Sequence, residues 1–170
     1  MSGYEIREAR PGDASALVEL ARAVSAEPGD SLLATDGWRS ASAERRYLRA
    51  VRRSGYAAVF VAEVSEGLVG RLSVSRDPHP ASRHVADLGL MVAAGYRRRG
   101  IGRALLEAAA GWARRHGVSK LELHVFPHNE PAIGLYESFG FVQEGYRRRH
   151  YRRGEEYLDA ILMAFATLPE

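Results

Sequence analysis

The chain has 170 residues, 46% of them hydrophobic and 26% charged, a balance expected of one globular domain rather than of a disordered or fibrous chain. It contains no cysteine, which excludes disulfides, thiolate metal sites and a covalent thiol nucleophile together. No run approaches the ~18 apolar residues of a membrane span, and the opening MSGYEIREARPGD lacks a signal-peptide core, so the expectation is a cytoplasmic protein. The net charge is only +3, and Lys120 is the sole lysine among 24 basic residues. Arginine and lysine would both serve a phosphate footprint, so that skew points to genome composition rather than to a nucleic-acid partner.

Taken in chain order, YEIREA (4–9) alternates apolar and charged residues and predicts a first strand. A helix follows from Asp13, an N-cap candidate, to about Val24. Residues 25–40 are rich in glycine, proline and polar turn formers and read as a long loop, the kind that carries function or moves. A second helix covers about Ser42 to Arg53, with Tyr47, Leu48 and Val51 on one face. The five arginines at 45, 46, 49, 52 and 53 fit its exposed side. AAVFVAEV (57–64) and LVGRLSVSR (68–76), separated by Ser-Glu-Gly, predict an antiparallel hairpin. RDPHPASR reads as loop and HVADLGLMV (84–92) as a fourth strand. A helix from Gly100 to His116 has Gly117 as its stop. KLELHVF (120–126) alternates as a fifth strand, EPAIGLYESFG (130–140) is a short helix, and the rest forms a final hairpin. This order implies an α/β domain on a mixed sheet, residues 1–170 being a single unit.

The stretch GYRRRGIGRALL (95–106) carries the strongest local signal. A strand ending at Val92, a tight turn and a helix starting at Gly100 gather unpaired backbone N–H groups where the helix dipole is positive. Glycines at 100 and 102 would let a pyrophosphate approach the backbone, and Arg97, Arg98, Arg99 or Arg103 can add charge. No Gly-Lys-Ser/Thr follows, and the position that would complete G-x-G-x-x-G is Leu105, so neither a Walker loop nor a dinucleotide fingerprint is present. On spacing alone, an ordinary glycine-rich helix start explains it as well.

R-x-x-G-x-G at Arg97, Gly100 and Gly102 resembles the Q/R-x-x-G-x-G/A signature of the GNAT family of N-acetyltransferases. Downstream, NEPAIGLYESFGF (129–141) resembles the family's N-x-x-A-x-x-L-Y-x-x-x-G-F segment, in the right order and on the predicted elements. The resemblance implies a mixed, mainly antiparallel sheet of about seven strands with about four helices and a splay between the fourth and fifth strands. It further implies acetyl-coenzyme A as co-substrate and no metal. Within the family, the fourth strand and final hairpin look closest to small bacterial enzymes that N-acetylate free amino acids or related amines. Acetylation of a protein, at its N-terminus or a lysine, is the alternative within this chemistry; a non-catalytic acyl-coenzyme A sensor or nucleic-acid binder is the alternative outside it. No nucleic-acid or membrane partner is expected, and homodimers are common in the family.

Residue by residue, the resemblance places the pantetheine arm and acetyl carbonyl against the backbone of Leu90, Met91 and Val92, where peptide-like amides suit a strand edge. A backbone N–H there would stabilise the oxyanion. The pyrophosphate would rest on amides of Arg98, Arg99, Gly100, Ile101, Gly102 and Arg103, with Arg97 at the signature position. Asn129, the only asparagine, would touch pantetheine beside Ala132, although it is equally an N-cap for the short helix. Tyr136 would protonate the departing thiolate, a phenol near ~10 serving a thiol near ~8.5. A base is also needed. His124 points with Glu122 away from the face of Leu121, Leu123 and Val125, and can accept a proton near neutral pH. Asp87 and Glu27 are rivals, the latter in the long loop where an acceptor pocket is expected, and a water chain would also serve. His124 and His128 have metal-like spacing but lie on a strand and its following loop rather than on one helical face, with no glutamate between them. Tyr146 to Arg153 interleaves aromatics and arginines, yet fits a solvated hairpin better than a nucleic-acid surface.

Overall fold

A computed structural model describes residues 3–29 and 38–168. Seven strands form one sheet in the order β1-β2-β3-β4-β5-β7-β6. They are β1 (Glu5–Glu8), β2 (Ala57–Val64), β3 (Gly67–Arg76), β4 (Val85–Val92), β5 (Lys120–Val125), β6 (Val142–Arg153) and β7 (Glu156–Ala166). Four helices flank them: α1 (Ala14–Ser25), α2 (Ala41–Ser54), α3 (Ile101–Arg115) and α4 (Glu130–Phe139). Every predicted element is present, with ends differing by one or two residues. Part of the predicted 25–40 loop, residues 30–37, lies outside the described residues.

Alternation sorts side chains to the two faces of the sheet. Leu72, Val74, Leu88, Leu121 and Leu123 join Leu105, Leu106 and Ala109 of α3 in one core cluster. Val59, Val61 and Met91 join Leu17, Leu20, Leu48 and Val51 of α1 and α2 in another. Burial of these side chains stabilises each by about 1.5–3 kcal/mol relative to exposure. One expectation fails locally: Asp13 precedes α1, but its side chain makes no capping bond to that helix. Its carboxylate instead accepts Arg10 N–H at 2.7 Å and the Arg7 guanidinium at 2.8 and 3.0 Å. An arginine on the neighbouring strand outcompetes the weaker backbone donors of the helix.

All strand pairs are antiparallel except β4 with β5. That parallel ladder holds only from Val85↔Lys120 to Asp87↔Glu122, after which the strands diverge. β3 stays paired with β4 as far as Gly70↔Val92. The C-terminal half of β4 therefore has a partner on one edge only. A register shift in β6 between Arg147 and Tyr151, with Arg149 at φ 52°, bends that strand toward β5. Asp159 pins the bend by accepting Arg149 N–H at 2.7 Å and Tyr146 O–H at 2.8 Å.

Candidate active site

Two clefts meet where β4 and β5 diverge. The larger, about 670 Å³, runs from the end of β4 between the start of α3 and the face of α4. The smaller, about 250 Å³, lies on the α1 and α2 face, between β3, β4, β5 and Tyr151 of β6. Leu90, Met91, Asn129 and Tyr136 line both. A molecule in each cleft would thus meet its neighbour at these four residues.

The larger cleft is built for an anion at one end. Residues 94–96 form a 3-10 turn, Arg98 takes φ 63° and Gly100 takes φ 83° before α3 begins. Few side chains tolerate such a reversal, which explains glycine at position 100. The first helical bond is Ala104 N–H to Gly100 C=O at 3.0 Å. The N–H groups of Ile101, Gly102 and Arg103 are thereby left without helical acceptors, at the positive end of the dipole. Arg98, Gly100, Gly102 and Arg103 line the cleft. Ile101 turns its side chain into the core, 2% exposed, so only its backbone can face a ligand. Arg99 stacks over Tyr96 at 5.1 Å and is not among the lining residues.

Gly102 has a second reason to be glycine. A Cβ there would stand 2.7 Å from Leu135 Cδ2 of α4, closer than carbon atoms approach. The glycine lets α3 and α4 converge, and this packing need was not read from the sequence.

Arg97 lines the larger cleft, but much of its guanidinium is engaged within the protein. Its Nε donates to Val92 C=O at 2.9 Å and its Nη2 to Glu27 Oε1 at 2.8 Å. The signature arginine ties the end of β4 to the segment after α1. Glu27 is correspondingly held in an ion pair and lines neither cleft. Asn129 Oδ1 accepts Ala132 N–H at 3.3 Å, capping α4, while the residue still lines both clefts. Ala132 lines the larger one.

At the junction, Tyr136 is 6% exposed, and its hydroxyl has no hydrogen-bond partner among the described residues. Burial pushes its phenol up from the ordinary value, because the phenolate would be desolvated. The group therefore stays protonated and available as a donor, though it is a weaker acid than an exposed tyrosine.

His124 and Asp87 share the smaller cleft. The His124 ring stacks on His150 at 4.7 Å and meets Tyr151 edge-on at 6.4 Å. Its Nε2 is buried without a hydrogen-bond partner among the described residues, and Nδ1 stands 3.8 Å from Asp87 Oδ1. Desolvation first, then the charges of His150 and Arg147, hold its pKa below the ordinary histidine value. The neutral, proton-accepting form thus persists to lower pH. Desolvation and then the neighbouring charge of Glu122 raise the Asp87 carboxyl to about 6. Its side chain is nevertheless 62% accessible, so water screens much of that effect. No cluster of three or more metal-ligating side chains occurs among the described residues, and no described helix is long and apolar enough to cross a membrane.

The smaller cleft also contains residues that sequence reasoning passed over: Trp38, Arg71, Ser73 and Tyr151. Arg71 is 4% exposed and donates to Glu44 Oε1 of α2 at 3.2 Å, Glu44 being fully buried. The signal was present in α2, where Glu44 falls on the same helical stripe as Leu48 and Val51.

This two-cleft architecture can be compared with known proteins. Residues 19–141 match the model of the acetyltransferase (GNAT) family. The chain belongs to the GNAT family. Among curated GNAT relatives, it is 37% identical over 108 residues to the L-amino acid N-acetyltransferase AaaT of Escherichia coli, which is 61% of this chain and 65% of that protein. It is 45% identical over 69 residues to the ribosomal protein bS18-alanine N-acetyltransferase of the same species, 41% of this chain and 47% of that protein. The matched regions thus span less than two thirds of either relative. A GNAT acetyltransferase from Streptococcus pneumoniae superposes with TM-score 0.86 at 30% identity, over 96% of this chain and 99% of that one.

Proposed function

We propose that this GNAT protein transfers an acetyl group from acetyl-coenzyme A to the amine of a small acceptor, a free amino acid or related compound. The observation that carries the reading is the pair of clefts meeting at Leu90, Met91, Asn129 and Tyr136. The larger falls within the ~300–1,000 Å³ usual for ligand sites and the smaller just below it. Similarity to an L-amino acid N-acetyltransferase supports the acceptor class.

The residues fit the co-substrate. The open amides of Ile101, Gly102 and Arg103 suit a pyrophosphate, and the free edge of β4 suits the amides of pantetheine. Acetyl-coenzyme A supplies the acyl group as a thioester. His124, neutral and facing the smaller cleft, takes a proton from the acceptor ammonium directly or through water. The amine nitrogen then attacks the thioester carbon, and a backbone N–H between Leu90 and Val92 donates to the oxyanion. Tyr136 gives its proton to the departing sulfur. The same dry surroundings that weaken the phenol as an acid also make a bare thiolate costly, which restores the driving force for transfer. Attack is direct because the chain has no cysteine to form an acyl intermediate.

A second reading, acetylation of a protein N-terminus, draws on the similarity to the bS18-alanine enzyme. Both are tested by incubating the protein with acetyl-coenzyme A and amino acids, polyamines, antibiotics and peptides while following thiol release. Release with amino acids above hydrolysis background is expected. Release with peptides alone would favour the second reading, and none with any amine would sink both.

A further inference from the structure

The smaller cleft contains two buried hydrogen-bond donors that nothing in the described protein satisfies. Arg71 Nε and Trp38 Nε1 are both inaccessible and both lack an acceptor among the described residues. They come from different elements, yet the Arg71 guanidinium lies 5.1 Å from the centre of the Trp38 ring, and both residues line the cleft. A buried donor without an acceptor costs about 1–3 kcal/mol, and because neither nitrogen is accessible as the cleft stands, an acceptor carried by a ligand reaches them only when the side chains covering them shift.

The charge balance specifies that acceptor. Arg71 donates to one oxygen of Glu44 at 3.2 Å, and Arg39 faces the other oxygen at 3.2 Å. Two guanidiniums face one carboxylate, and although water screens Arg39, whose side chain is 40% exposed, Arg71 remains a buried cation at this wall. Glu44 engages Arg71 through Nη2, whereas a guanidinium carries five donors in a planar fork. Across the cleft stand Asp87 and the neutral ring of His124. The cavity therefore has a cationic end and an end that accepts protons. Along the sheet, Arg71 sits directly opposite Met91 in the β3–β4 register, beside the stretch proposed to hold the acetyl group. An acceptor that reaches both points carries its anion within a few bonds of its amine.

Building on the reading of the preceding section, we propose that Arg71, with Trp38, binds the carboxylate of the acceptor, so that the substrate is a free α-amino acid with its ammonium toward His124 and Asp87. Amines without a carboxylate leave these donors unsatisfied and are rejected. A peptide N-terminus, whose first residue has no free α-carboxylate, is rejected for the same reason.

The test compares the standard L-amino acids with the same compounds as carboxamides, following thiol release from acetyl-coenzyme A. For the wild-type protein, kcat/KM should favour the free acid roughly 100-fold or more, since the carboxamide keeps one acceptor oxygen but loses the charge and turns an N–H donor toward the guanidinium where the second oxygen stood. In Arg71→Met that preference should collapse to within about tenfold, with KM for acetyl-coenzyme A unchanged. Arg71→Lys, which keeps the charge and loses the fork, should fall between. A merely structural Arg71 would lower both substrates equally. Should Arg71→Met fail to fold because Glu44 is left buried, the wild-type pair still decides. Carboxamides accepted as well as acids, or thiol release with other amines only, would overturn the inference while leaving the acetyltransferase reading intact. No release with any amine would overturn both.

Discussion

Gly102→Ala separates two reasons for a glycine at the start of α3. The added Cβ would meet Leu135 Cδ2 at 2.7 Å and Leu90 Cδ2 at 3.7 Å. Only the first contact is impossible, and it involves the tip of a side chain, so Leu135 rotates rather than the helix moving. Leaving its rotamer costs about 0.5–1.5 kcal/mol, and overpacking as a whole about 1–3 kcal/mol. Alanine in a helix returns about 0.5–1 kcal/mol over glycine. The net cost is about 0–2.5 kcal/mol, which at ~2–4 °C per kcal/mol for a chain of this length lowers Tm by no more than ~10 °C. The larger effect falls on the ligand, because Leu135 lines the larger cleft and its displaced side chain intrudes there. We expect KM for acetyl-coenzyme A to rise about tenfold, equivalent to ~1.4 kcal/mol, with kcat nearly unchanged. Leu135→Ala removes the obstructing atom, so Gly102→Ala/Leu135→Ala should recover most of the lost affinity relative to Leu135→Ala alone. Steady-state kinetics and thermal melts of all four proteins measure the coupling. A defect in the double variant as large as in Gly102→Ala would refute the packing argument and return the glycine to close approach by a pyrophosphate.

Tyr136→Phe should lower turnover at saturating acetyl-coenzyme A by about 10²–10⁴-fold while leaving cofactor KM within a factor of two or three; unaltered turnover would remove the proton-donor role. If His124 is the base, its depressed pKa places the acid limb of kcat/KM for the amine below the ordinary histidine value of ~6.5. His124→Gln should abolish that limb and lower the plateau; a limb that survives belongs to another group. Asp13→Asn should cost about 1–2 kcal/mol at neutral pH through loss of the charged bonds from Arg7. The hydrogen bonds from Arg7 lower the folded pKa of Asp13 below its ordinary 3.8. Its stabilisation is therefore complete above the unfolded value and disappears as pH falls through the folded one. Denaturant melts of wild type and Asp13→Asn should converge as pH falls below 3.8 and through the folded value of Asp13.

What the sequence disclosed depended on whether a signal was local. Strands with clean alternation and the Ser-Glu-Gly turn placed β2 and β3 within one residue, and Gly117 at φ 70° ended α3 as expected. Local chemistry also foretold the helix start at Gly100 and the cap at Asn129, while the placing of Asn129 and Tyr136 at one site came from the family resemblance. Pairwise choices between distant residues were not legible. Arg97 and Glu27 lie 70 positions apart and bind one another; Arg97 still lines the larger cleft, whereas Glu27 lines neither. Arg71 alternates with Leu72 and Ser73 as any outward-facing strand arginine would. Only the tertiary approach of α2, carrying Glu44 on its apolar stripe, turns it inward. Asp13 likewise chose a strand arginine over its own helix.

The divergence of β4 from β5 places an unpaired strand edge in the middle of a sheet rather than at its margin. Exposed edges ordinarily recruit other chains, and proteins blunt them with charge, bulges or cover. Here α4 and the bent β6–β7 hairpin flank the open segment, so a narrow peptide-like arm can reach it while a whole second strand is kept away. The strand-like contact proposed for a small thioester is thereby separated from the aggregation hazard that the same hydrogen-bonding groups would carry on an outer edge.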